Sequence, residues 1–124
     1  MAKRRRTTRR QADHVLTPDR LRRIYRLVKA LAARPYPRHK LLRRLRVEQR
    51  TFYRDLEWLR QLGIRIVLQD KLYFLETPLT RVLQCLPVPD PQLTLAEAQI
   101  LAQGRTPAHR KLKRFLQSVF GTID

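Results

Sequence analysis

Apolar positions recur along this chain in two rhythms, and the change from one to the other divides it. Leu21, Ile24, Tyr25, Val28 and Leu31 follow the three-and-four spacing of one buried helical stripe, with Arg20, Arg22, Arg23, Arg26 and Lys29 on the remaining faces. Thr17-Pro18-Asp19 opens that helix with a capping hydroxyl, a proline suited to the first helical position and a carboxylate that complements the dipole. Pro35 closes it, because a proline ring disfavours helix in the residue before it. Pro35-Tyr36-Pro37 then makes a stiff connector. A short helix is predicted from about Arg38 to Leu45, with Leu41, Leu42 and Leu45 as its apolar side. A third runs from about Glu48 to Leu62, burying Phe52, Leu56, Leu59 and Leu62. Trp58 lies off that stripe, placed either to lap a neighbouring element or to face a partner. Gly63 is predicted to stop the helix in a left-handed conformation, with Ile64 making the apolar contact behind it.

After Gly63 the period falls to two. Ile64, Ile66 and Leu68 alternate with Arg65 and Val67, Gln69-Asp70-Lys71 interrupts, and Leu72-Tyr73-Phe74-Leu75 follows, which predicts a β-hairpin. Its tip has no glycine, so the turn type is unspecified. Residues 77–93 carry Pro78, Pro87, Pro89 and Pro91 and read as an ordered linker with a short turn of helix from Thr80 to Leu86. Thr94-Leu95-Ala96-Glu97 is a capping box, opening a helix with Leu95, Ala98, Ile100, Leu101 and Ala102 that ends by Gly104. A last helix from near Pro107 to about Phe120 has Leu112, Phe115, Leu116, Val119 and Phe120 on one face and Arg110, Lys111, Lys113 and Arg114 opposite. The fold class is therefore mainly α with a small β-hairpin. Its organisation is a basic arm over 1–16, a helix-rich domain over 17–76, the linker, and a two-helix extension over 94–124.

Charge adds what periodicity does not. The 124 residues carry a net charge of +18, which draws the chain to polyanions. Residues 1–62 hold twenty Lys/Arg against five Asp/Glu, whereas residues 63–124 hold eight against five, so the first half is the polyanion-binding half. Lys3, Arg4, Arg5, Arg6, Arg9 and Arg10 crowd a stretch without apolar periodicity. That arm is expected to be disordered, as a solubilising tail, as a strand along phosphates or in a minor groove, or as a nuclear-import signal.

A short helix, a tight turn and a longer helix with a polar start form a helix-turn-helix, and the hairpin adds a wing. Glu48, Gln49, Arg50, Thr51 and Tyr53 are expected to face outward while Phe52 and Leu56 anchor inward. Arg and Gln can pair with guanine and adenine edges, and Thr can touch a thymine methyl. Arg54, one turn on, reaches toward phosphate, as do Arg38, Lys40 and Lys71 at the hairpin tip. Asp55 is expected to pair with a nearby arginine and hold the motif together.

The string from Val47 to Leu56, with its Arg-Thr-x-Tyr-Arg-Asp-Leu core, followed by Leu59, Leu62-Gly63-Ile64 and a hairpin with Tyr73, resembles a known group. It is similar to the type-11 and DeoR-like winged helix-turn-helix at the N-terminus of WYL-domain bacterial regulators. The similarity covers about residues 18–76, and Leu93 to Ala98 resembles the segment after the wing in those proteins. The resemblance implies a DNA-binding transcription factor, often dimeric, in the bacterial cytoplasm on the nucleoid. It implies base contacts for Gln49, Arg50, Thr51 and Tyr53 and a backbone contact for Arg54. The chain departs from the pattern at Glu48, where a small hydroxyl residue usually starts the recognition helix, and at the glycine-free tip. It ends at Asp124, where the sensor domain of such regulators would begin, so a regulator without that domain is expected.

The last two helices have little core of their own. They can pack back on the winged helix or pair with a second copy through residues 94–120, and an apolar stripe with no sensor domain over it favours the homodimer. Other functional classes fit less well. No run of eighteen apolar residues offers a membrane span, and no apolar segment follows the basic start as in a secretory signal. His14, His39 and His109 are scattered, and the single Cys85 in a leucine-rich context reads as a buried small side chain, so neither a metal nor a cofactor is expected. Asp13, Asp19, Glu48, Asp55 and Glu57 read as caps and surface partners rather than an acid–base pair, and no glycine-rich phosphate loop or small-molecule site is evident, so no enzyme is expected. The alternatives left are an RNA- or ribosome-associated basic protein, a nonspecific nucleoid-type DNA binder and a protein-binding winged helix.

Overall fold

The structure, a computed structural model, describes residues 16–121. The arm residues Lys3, Arg4, Arg5, Arg6, Arg9 and Arg10 lie outside the described residues. Within them the chain is mainly helical, with a two-stranded antiparallel hairpin: α1 (Pro18–Ala33), α2 (Arg38–Leu45), α3 (Gln49–Gln61), β1 (Ile66–Gln69), β2 (Leu72–Leu75), α4 (Leu79–Cys85), α5 (Leu95–Leu101) and α6 (Pro107–Phe120). The described residues form two compact units, divided between Pro89 and Asp90.

In the first unit α1 is the spine, packed against α2, β2 and α4. Thr17 caps it, its hydroxyl accepting from the Arg20 N–H at 3.1 Å, and Pro18 occupies the first turn. Its buried side is Ile24, Leu27, Val28, Ala30 and Leu31. This corrects the expected stripe at one position. Tyr25 is 43% exposed, under Lys29, because it lies on the flank of the line through Ile24 and Val28, which Leu27 completes.

Helices α2 and α3 end in the same way. Each closes with a pair of backbone bonds in the Schellman pattern: Val47 N–H to Leu42 C=O and Arg46 N–H to Arg43 C=O for α2, Ile64 N–H to Leu59 C=O and Gly63 N–H to Arg60 C=O for α3. The pattern requires one left-handed residue. Gly63 supplies it after α3 with φ of 85°, and Arg46 supplies it after α2 with φ of 54°. Ile64 is buried behind Gly63, as its spacing predicts.

The hairpin pairs Ile66 with Leu75 and Gln69 with Leu72, leaving a two-residue turn. Asp70 and Lys71 both have positive φ, 53° and 65°, so the tip is a type I′ turn built without glycine. A third strand contributes one residue: Tyr36 and Tyr73 exchange both backbone bonds, at 3.2 and 2.8 Å. The stiff Pro35–Pro37 connector is thereby tied to β2. Tyr73 stands edge-on to Phe52 of α3, with centroids 5.2 Å apart, and Trp58 also joins this core.

Residues 77–93 divide. Their first part forms α4, whose Val82 is fully buried in the core of the first unit, so residues 79–85 are packing rather than connection. In the second unit the capping box of α5 is closed, Thr94 Oγ1 accepting from Glu97 N–H at 3.1 Å and Glu97 Oε1 from Thr94 N–H at 3.0 Å. Thr106 and His109 make the equivalent pair at the start of α6. A Cβ at Gly104 would collide with the His109 ring, so the turn between α5 and α6 has room for glycine alone. The core here is small: Ala98, Ala102 and Leu116, with Leu112 against them.

Candidate nucleic-acid interface

One buried charge roots α3. Asp55 is 2% exposed, and its carboxylate accepts from Arg23 Nε at 2.6 Å, Arg23 Nη2 at 3.0 Å and Arg20 Nε at 3.2 Å. Both arginines belong to α1, so the carboxylate pins α3 across the core rather than to its own helix. The Arg20 guanidinium also lies 5.4 Å from the centre of the Trp58 ring. Asp55 thus has the arginine partner expected of it, and the structure names two.

With Phe52, Asp55, Trp58 and Leu59 turned inward, the opposite side of α3 is polar. Glu48, Gln49, Arg50, Tyr53 and Arg54 are exposed at its start, and Thr51 is half-buried. Glu48 stands at the N-cap without a side-chain cap bond, so the leading turn of α3 has no side-chain cap. Arg50 and Arg54 lie four apart on one face and make no ion pair among the described residues.

Two of the expected contacts come together. Arg38 Nη1 donates to Tyr53 Oη at 2.8 Å, tying the first residue of α2 to the leading turn of α3. The phenols of Tyr53 and Tyr73 are near enough to affect each other's titration. The Arg38 bond, then the Tyr73 phenol, holds the Tyr53 phenol below its usual titration range, while burial, then the Tyr53 phenol, pushes Tyr73 above it. Arg38, expected as a DNA-backbone contact, is thus also hydrogen-bonded to Tyr53. Lys40 is exposed on α2, and Lys71 sits at the hairpin tip.

A further set of cations was not visible from spacing. Arg34, Lys40 and Arg44 surround Tyr36, brought together by the Tyr36–Tyr73 bridge. The i, i+4 interval between Lys40 and Arg44 is the only local sign of it. Among the described residues, no group of three or more His, Cys, Asp or Glu side chains is disposed to hold a metal ion, and no helix is long and apolar enough to cross a membrane. Comparison with protein-family models, with curated proteins and with solved structures found no match to this chain.

Proposed function

We propose that the chain is a DNA-binding transcriptional regulator of the winged helix-turn-helix kind. The start of α3 enters the major groove, and α2 and the hairpin lie beside the sugar–phosphate backbone. The observation that carries this reading is the two-sided character of α3. An exposed edge of Gln49, Arg50, Tyr53 and Arg54 stands over a footing of Phe52, Asp55 and Leu59 that is buried and charge-locked to α1. Base reading needs that combination: donors and acceptors exposed on a fixed frame, with Arg50 and Arg54 free of ion pairs among the described residues. The order helix, bridging residue, helix, helix, hairpin supports it, as does the cationic excess of the first 62 residues. So does the resemblance to the N-terminal domains of WYL-domain regulators, which implies a location on the bacterial nucleoid.

In this reading Gln49, Arg50, Thr51 and Tyr53 contact bases, with Tyr53 oriented by Arg38, and Arg54, Lys40 and Lys71 contact phosphates. The protein acts as a dimer through residues 94–120. In the second unit Ile100 of α5 is 66% and Phe115 of α6 60% exposed, with Val119 and Phe120 also exposed on α6, apolar surface that a second copy would cover.

The test is selection of random double-stranded DNA on the purified protein at roughly physiological salt, which suppresses bulk phosphate attraction. An enriched motif supports a sequence-reading regulator, and two inverted halves about one helical turn apart add the dimer. No enrichment, with binding retained at low salt, replaces this reading with a nonspecific nucleoid-type or RNA-bound role.

A further inference from the structure

Tyr36 is a buried aromatic ring with three cations around it. Arg34, just past the end of α1, donates from Nε to Tyr36 Oη at 3.0 Å, and its guanidinium carbon lies 5.0 Å from the ring centre. The guanidinium carbon of Arg44 lies 5.7 Å from the same centre. Lys40, one helical turn before Arg44, adds its charge to the same phenol. The Arg34 hydrogen bond, then the charges of Arg34, Arg44 and Lys40, hold that phenol below its usual titration range against the effect of burial. All three cations are exposed, and no carboxylate pairs with any of them among the described residues.

Two features of this cluster call for an anion. Like charges gathered near one ring repel, and elsewhere in the unit two converging arginines share the Asp55 carboxylate as a counter-charge. Here the cations have none. The Tyr36 hydroxyl, moreover, accepts from Arg34, yet its own hydrogen meets no acceptor among the described residues. A group with several anionic oxygens supplies the missing charge and the missing acceptor together.

We propose that Arg34, Lys40 and Arg44, gathered on Tyr36, form a phosphate-binding site for the backbone of duplex DNA flanking the groove that α3 reads. The proposal rests on the DNA-binding reading. The occupant is a phosphodiester within a duplex rather than a free phosphate ion. An open set of hydrated cations holds a free anion weakly, whereas contacts elsewhere on the same duplex keep a phosphodiester at high local concentration.

The experiment measures binding of the full chain to a labelled mixed-sequence duplex across a range of salt concentrations. Each phosphate contact contributes about 0.9 to the slope of log affinity against log salt. Arg34→Ala and Arg44→Ala are each expected to lower the slope by about 1 and to weaken binding about tenfold at moderate salt. Arg44→Lys keeps the slope. Tyr36→Phe removes a donor but no charge, so binding weakens about threefold with the slope unchanged. Arg44 is exposed on α2, so its variants stay informative even if Arg34→Ala unfolds, which thermal melting reports. A double variant Arg34→Ala/Arg44→Ala with the wild-type slope and affinity overturns this site while leaving the DNA-binding reading intact. A wild-type chain that fails to bind the duplex even at low salt overturns that reading, and this site with it.

Discussion

Removing the Asp55 carboxylate should cost more stability than any other single change in a polar residue of the first unit. The side chain is 2% exposed and accepts three hydrogen bonds at 2.6, 3.0 and 3.2 Å from two guanidinium groups. Breaking a buried ion pair by deleting one partner costs about 3–5 kcal/mol, because the other charge is left uncompensated. The Arg20 and Arg23 side chains retain 14% and 25% of their exposure, so both can turn partly toward water. That relief places Asp55→Ala near the lower end, about 3 kcal/mol. In a domain of this size each kcal/mol moves the melting temperature by about 4–8 °C, so a fall of roughly 12–24 °C is expected. Asp55→Asn keeps one acceptor oxygen and should lose about 2 kcal/mol. Trp58, the one tryptophan of the chain, is buried with the Arg20 guanidinium over it, so urea unfolding followed by its fluorescence reports this node directly. Glu57→Ala is the control. It removes an exposed i, i+3 pair with Arg60, and such pairs contribute about 0–1 kcal/mol. If Asp55→Ala lies within about 1 kcal/mol of wild type, the carboxylate does not hold α3 to α1 and the argument for a rigid footing fails.

Five further predictions follow from the same geometry. Arg50→Ala should lose about 1–3 kcal/mol of discrimination at one base position and Arg54→Ala should weaken binding to all sequences alike; equal, sequence-independent losses from both would remove Arg50 from base reading. Val82→Ala should destabilise the first unit by about 2 kcal/mol in urea unfolding, and a neutral result would return residues 79–85 to a linker. Gly63→Ala should cost about 1 kcal/mol, since a Cβ there meets no neighbour and only the left-handed conformation is penalised. Arg46→Gly should gain about 0.5 kcal/mol, the relief of left-handed strain exceeding the added freedom of the unfolded chain, and a loss on thermal melting would contradict this. The Thr94 backbone N–H, then its hydroxyl, holds the Glu97 carboxyl below the usual glutamate range. Its folded-state pKa is thus depressed, and its contribution to α5 is complete above the unfolded value and is lost as pH falls through the folded one. Carboxyl NMR titration should find Glu97 low in the wild type and less depressed in Thr94→Ala, which removes the hydroxyl but keeps the backbone N–H.

The parts of the fold that could be read in advance are those fixed within four or five residues. The Thr17 cap, the Thr94–Glu97 box, the Gly63 stop and the limits of α6 at Pro107 and Phe120 all follow from neighbours along the chain, and the structure has each in place. Local spacing does not choose partners across the core. It could say that Asp55 needs an arginine but not that Arg20 and Arg23, more than thirty residues earlier, supply it. The Tyr36–Tyr73 bridge is hidden for the same reason, and with it the gathering of Arg34, Lys40 and Arg44. Two local conformations were obscured differently: Arg46, Asp70 and Lys71 adopt left-handed backbone that composition assigns to glycine. In α1, Tyr25 and Leu27 both satisfy a three-four pattern, and only the arrangement of α2, β2 and α4 around the helix decides which is buried.

The sparse interior of the α5–α6 unit has a thermodynamic consequence. Two alanines and one leucine remove too little apolar surface from water to offset the conformational entropy of ordering both helices. If a second copy covers Ile100 and Phe115, as proposed above, association and helix formation are one linked equilibrium. The dissociation constant of such a dimer would contain the cost of ordering, and its heat-capacity change would exceed that of docking two rigid surfaces. Helicity in this unit would then depend on protein concentration, and dilution would act on it as a denaturant does.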